Sequence, residues 1–390
     1  MHRFALFDYG FRPFFLIAGV YALVVVPIWL FLYGHQAVPF GALPAMYWHA
    51  HEMVYGFVSA AIAGFLLTSV PSWTGARGFA GAPLYALVAA WLAGRIAMTM
   101  FGHWPVWIIA IAELSMLPLL AALLLPPLLR TRNRNVRLLF VLLMLWSADA
   151  AFVWAVAQGD VGVAARSISF AINLVLVLVT VIGGRIVPAF TANALRRRGE
   201  SSEIVSHTWL EVSVISSMII IAVLDAFVPL GSAHGIIAGA AAILHVIRLS
   251  GWRSFHTRGE SILWVLHLAY AWLPIGLALK AFYLFGGFDW ASKWQHALTA
   301  GVFGTMILAV MTRASLGHTG RPLAVSRSTT FAYALLTLAV CIRVLSGAVN
   351  ISIYRIVVEV AGAAWSLAFL LYLITYTPVL VLPRADGKPG

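Results

Sequence analysis

Cysteine is almost missing from this 390-residue chain: one occurs, Cys341, inside an apolar run. That excludes a disulfide framework and a thiolate cluster for zinc or iron–sulfur, so any metal chemistry must draw on other ligands. Charge is scarce too, at 10% of residues, and acidic residues number only 13. The longest connections between apolar runs are about 17 residues, too short for an extramembrane domain. No small-residue cleavage site follows Arg3 and Arg12, so the first apolar run reads as a retained helix. What abounds is apolar side chain: 62% of residues, with mean hydropathy +0.94, against roughly 45–50% in a soluble domain. This is the composition of a polytopic membrane protein. The net charge of +12 would point to nucleic acid in a soluble chain. Here the basic residues sit in short loops, where they set topology, and lipid is the expected surrounding.

A bilayer-spanning helix needs about 20 mainly apolar residues. The sequence predicts twelve, near 13–33, 50–71, 83–102, 105–129, 136–157, 166–190, 208–229, 233–250, 261–285, 294–312, 329–348 and 356–382. The expected fold is all-α, one integral membrane bundle of twelve transmembrane helices with residues 1–390 as a single domain. With the N-terminus inside, the loops of that side and the two tails carry 18 Lys and Arg, against 3 in the opposite loops, Arg166, Lys293 and Arg355. The positive-inside rule then predicts both termini in the cytoplasm. Three span ends four helices apart resemble one another: GFLLTSVPSWTG (64–75), GGRIVPAFTANA (183–194) and AVMTRASLGHTG (309–320). Either the chain holds three four-helix repeats, or apolar segments coincide by chance.

That orientation sorts the histidines into an outer and an inner layer. In YWHAHEMVYGF (47–57), His49 and His51 are two apart, about 200° on a regular helix, so both can face one ion only if the helix begins irregularly. His49 and Met53, at i and i+4, share a face. Imidazole with thioether suits copper, and Glu52 can orient an imidazole or carry protons. Equally, the stretch has the make-up of an interfacial anchor, with Tyr47 and Trp48 at headgroup depth. His296 opens the tenth span at the same level. Ala300 and Gly304 below it, like Gly56, Ala60 and Gly64 on the second span, form flat stripes that either pack helices closely or admit a porphyrin beside an axial imidazole. In the inner layer, His245 and His267 lie within spans, where each is a ligand or half of an interhelical hydrogen bond. His318 has Arg313 and Arg321 near it, which can neutralise an anion such as a haem propionate or simply mark the inner side. Asp149 falls near mid-span and Arg185 near an inner end; intramembrane charges of this kind mark proton, ion or electron-linked paths.

Taken together, FDYGFRPFF (7–15), WHAHEMVYGF (48–57), AGFLLTSVPSWTG (63–75), GGRIVPAFT (183–191), LHLAYAWLPIGL (266–277) and HALTAGVFGTMILAVMTRASLGHTGRP (296–322) closely resemble the NnrS family, over nearly the whole chain. The resemblance implies about twelve spans in the bacterial inner membrane, haem and copper as cofactors, and a link to denitrification and nitric oxide stress. The architecture is also similar to the large subunit of haem–copper oxidases. The sixth span has no histidine, however, and the histidine pairs expected on a seventh and a tenth helix are missing, so the same metal geometry is not expected.

On that resemblance, the expected protein binds haem and copper and acts on nitric oxide or a nitrosylated species. If it is an enzyme, reduction of nitric oxide is the reaction. Coupling two molecules consumes two electrons, from a quinol or another donor, and two protons, with Glu52 and Asp149 as expected carriers. The copper site would draw on His49 and His51, with Met53. A b-type haem would draw on His267, His296 and His318, with Arg185 and Arg313 as charged companions. The alternative is a transporter of metal, haem or a nitrosyl–iron complex whose buried charges line an alternating path. A sensor or scavenger is a third reading.

Overall fold

The computed structural model describes residues 4–35, 44–201 and 203–387. His2, Arg3 and Lys388, the last two counted above for topology, lie outside the described residues. Among the described residues there are no strands and 12 helices long and apolar enough to cross a membrane. They are α1 Phe11–Gly34, α2 Ala45–Thr74, α3 Ala82–Thr99, α4 Val106–Arg130, α5 Arg134–Gln158, α6 Val161–Arg197, α7 Thr208–Phe227, α8 Ser232–Ser250, α9 Ser261–Leu284, α10 Asp289–His318, α11 Arg327–Ala348 and α12 Ile351–Val381. Each matches a predicted span. The chain is thus an all-α membrane bundle. α6 and α10 run past their predicted ends because polar turns, Thr191–Arg197 and Arg313–His318, continue the helical ladder beyond the apolar window.

Two compact units are present: Met1–Ala171 with Arg313–Pro322 and Phe369–Gly390, and Ile172–Thr312 with Leu323–Ala368. In the first, Arg12 is not a loop charge, as its place in the sequence implied, but is wholly buried. Its Nη1 donates to Leu380 O at 2.8 Å and to Leu382 O at 2.7 Å. These belong to the end of α12, where a helix leaves carbonyls without partners. Ala5 N donates to Val381 O at 2.8 Å, Arg384 Nη1 to His318 O at 2.8 Å, and Ala385 N to Thr319 O at 2.9 Å. Ala5 on one side and Arg384 and Ala385 on the other are thereby fastened to helix termini.

Three helices, α2, α6 and α10, each contain a π-helical stretch: Glu52–Val58, Val179–Gly183 and Ala297–Gly304. They stand four helices apart, on the spans that carry the three similar motifs. A π stretch disturbs the regular ladder and leaves carbonyls for other donors. Trp91 Nε1 from α3 donates to Gly56 O at 3.0 Å, and Arg248 Nη1 from α8 donates to Thr180 O at 2.8 Å. Glycine permits such approaches, since a Cβ on Gly56 would meet the Tyr21 ring and one on Gly184 the Arg248 guanidinium. The small-residue stripes are filled by this chain's own rings: Phe14 and Phe15 over Gly64, Trp272 over Gly301, and Trp365 over Gly304. A Cβ at Gly304 would lie 2.6 Å from Trp365. Gly304→Ala should therefore lower stability by about 1–3 kcal/mol through overpacking. Thermal unfolding in detergent would register the loss, and adding Trp365→Leu should recover much of it.

Candidate functional site

α2 is regular from Ala45 to His51, and the π stretch starts at Glu52. The helix does not unwind at Ala50, so the two imidazoles diverge. His49 stacks on Trp29 with ring centroids 4.4 Å apart. His51 is 0% exposed and lies against Phe152 at 4.7 Å and Tyr55 at 4.9 Å. Facing it is a break in α4. Pro118 has no N–H to give Leu114 O, so the helix stops at Glu113 and restarts at Met116. Trp146 Nε1 takes the released Leu114 carbonyl at 3.0 Å. The break holds Glu113 toward α2.

Around His51 the first unit assembles a buried cluster from five helices. His51 Nδ1 is 3.0 Å from Glu52 Oε1, and its Nε2 is 3.0 Å from Asp149 Oδ1 and 3.6 Å from Glu113 Oε1. Arg95 Nη1 is 2.8 Å from Glu52 Oε1, and its Nη2 pairs with Glu113 Oε1. The Tyr21 hydroxyl donates to Glu52 Oε2. Three carboxylates thus share one guanidinium and one imidazole, all buried. Such a group is costly in an apolar span, and residues of this kind mark functional sites there. Among the described residues, His51, Glu113 and Asp149 form the one group of three or more His, Cys, Asp or Glu whose donor atoms could hold a metal, lying within 4.8 Å of one another. Glu113 Oε2 is buried without a hydrogen-bond partner, and Glu113 lines a small cavity with Asp149, Arg95, Tyr55 and Ser59.

In the second unit, His267 is saturated: Nε2 is 2.8 Å from Thr191 Oγ1 and Nδ1 is 2.8 Å from Ser254 Oγ. His245 is different. It is 0% exposed, its Nδ1 is 2.7 Å from Tyr270 Oη, and its Nε2 is buried with no hydrogen-bond partner. Tyr270 accepts from Arg248 Nη1 at 2.8 Å, while Arg248 Nε donates to Glu211 Oε1 at 2.9 Å. Elsewhere in this unit Lys280 Nζ lies 2.6 and 2.5 Å from the two Asp225 oxygens, and Asn173 Nδ2 donates to Asp225 Oδ2 at 2.9 Å.

Of the residues the sequence singled out, the fold gathers His51, Glu52 and Asp149 into one cluster and leaves His49 outside it. Met53, half-buried, is the second residue of the π stretch. His296 immediately precedes the π stretch of α10, and His318 lies beside Tyr9 and Phe11, with centroids 6.2 and 5.7 Å away. Arg313 is buried in α10, whereas Arg185 is exposed on α6. Glu113, Arg95 and Tyr21 stand in no motif, and the first two signalled themselves only as ionisable groups in apolar runs.

The sequence model of one protein family, described as NnrS protein, matches residues 5–384. No curated protein matches the chain.

Proposed function

The chain belongs to the NnrS family, the match covering nearly all of its length, and we propose that it is a haem- and copper-holding protein of the bacterial inner membrane, both termini cytoplasmic, acting on nitric oxide or nitrosylated species. The observation that carries this reading is imidazole buried within spans. His245 is 0% exposed, and its Nε2 has no hydrogen-bond partner. A bare buried nitrogen is costly unless a ligand completes it. Haem, when bound, supplies an iron that takes nitric oxide, tuned by its axial ligand and the polarity around it. The chain's part is to hold and orient the imidazole, and at His245 the Tyr270–Arg248–Glu211 chain does so from the other ring nitrogen. His267, with both nitrogens engaged, would have to give up a hydroxyl partner to serve. His296 and His318 are the further imidazoles of the set. For copper, His49 and Met53 are the soft pair, outside the carboxylate cluster.

The test is an optical spectrum with metal analysis on detergent-purified protein, before and after nitric oxide. A Soret band that shifts with nitric oxide, together with bound copper, is expected. His245→Ala should displace or abolish the band in folded protein. Well-folded protein with neither Soret band nor copper would overturn the reading.

A second reading, a transporter, draws on the helices interrupted at corresponding places, α2, α6 and α10, and on the buried Lys280–Asp225 pair. Turnover of nitric oxide against flux of a metal or haem, measured in the same proteoliposomes, separates the two.

A further inference from the structure

We propose that His51, Glu113 and Asp149 hold one borderline-to-hard divalent cation, of the iron(II), manganese(II) or zinc(II) class, at a centre separate from copper. The first argument is the pairing of donors and acceptors. A neutral imidazole has one N–H. With that hydrogen on Nδ1, directed at Glu52 Oε1, the Nε2 lone pair faces Asp149 Oδ1 at 3.0 Å and Glu113 Oε1 at 3.6 Å. Three acceptors then converge on one another, and a cation among them makes the arrangement favourable; protons on Nε2 or a carboxyl are the alternative that metal retention decides.

Charge balance agrees with a divalent ion. With Glu52, Glu113 and Asp149 all acting as carboxylate ligands or partners, they bring three negative charges against one positive on Arg95, so a neutral His51 leaves the cluster two charges short of balance. One divalent cation closes that gap, while Cu(I) closes half of it. With metal–ligand bonds of about 2.1 Å, neighbouring donors in octahedral or tetrahedral shells lie roughly 3.0–3.4 Å apart; Nε2 and Asp149 Oδ1 already stand at 3.0 Å, whereas Glu113 Oε1, at 3.6 Å from Nε2, would draw in on binding. One imidazole and two carboxylates, with no sulfur, is a donor set for zinc, iron or manganese rather than for a soft monovalent ion.

An independent observation is the bare carboxylate oxygen. Glu113 Oε2 is buried without a partner, and Glu113, Asp149 and Arg95 all line one small cavity. The bare oxygen offers a further ligand atom. Glu52, fastened by Tyr21 and Arg95, plays the part of the carboxylate that orients a ligating histidine from behind. The assignment stands whether or not haem binds elsewhere in the chain.

Full-length protein in detergent, stripped with a chelator and then equilibrated with manganese(II) or zinc(II), should retain about one ion per chain after gel filtration. Asp149→Asn and Glu113→Gln should each weaken retention by at least about tenfold and leave copper content unchanged. Size-exclusion profile and thermal unfolding would establish which variants are folded, and Asp149→Asn carries the test should Glu113→Gln not fold. Folded wild type that retains neither ion would overturn the proposal and assign the missing charge to protons. Equal retention by wild type and a folded variant, or loss of copper in step with the other metal, would overturn it too.

Discussion

Lys280→Met is expected to remove about 3–5 kcal/mol of stability, the usual consequence of stranding one member of a buried ion pair. The side chains of Lys280 and Asp225 are 1% and 5% exposed. The ammonium touches both carboxylate oxygens and lies 4.9 Å from the centre of the Trp294 ring. Without it, Asp225 would keep only the Asn173 amide and would have to be protonated or drag water into the span. The double variant Lys280→Met with Asp225→Leu should recover most of the loss, because a matched apolar pair needs no solvation. Thermal unfolding and the yield of monodisperse protein would measure both. A single variant as stable as the wild type would mean that the pair is not buried as described.

The second large effect is expected at Arg95. This guanidinium alone among the cluster's members carries a fixed positive charge, and it pairs with Glu52 and Glu113 together. Arg95→Met should cost about 3–5 kcal/mol by the same reasoning, with loss of the geometry around His51. Adding Glu52→Gln removes the carboxylate left without a counter-charge and should restore part of the stability. If unfolding temperatures showed no rescue, charge balance would not be what Arg95 provides.

Much of the fold was legible because hydropathy averages over twenty residues, so single errors do not move a span. All twelve spans of the sequence reading recur in the structure. Contacts across helices were not legible. His51 meets Asp149 across 98 positions of sequence, and Lys280 meets Asp225 across 55. No periodicity links residues so far apart. His51, Glu52 and Asp149 could be picked out as polar groups in apolar runs, but Glu113 gained its place through a proline five residues later that breaks α4. The same blindness made Arg12 look like a topology signal, when it closes the end of α12. It also put His267, saturated by two hydroxyls, level with His245, which is not.

The π stretch of α2 bears on how this span tolerates length change. A π stretch behaves as one residue added to an α-helix, and each helical residue turns the chain by about 100°. Excising one residue between 53 and 58 would let the stretch relax into an ordinary helix. Because the wider π turn already absorbs the surplus residue, Ala45–His51 would keep nearly its present azimuth relative to Ser59–Thr74, and His51 would stay toward Asp149. Straightening all seven residues into α-helix without excision would instead swing the histidine by about a quarter-turn. Residue count and azimuth are thus uncoupled in this helix: the stretch holds one residue more than a regular helix needs and leaves the direction of its histidine unchanged.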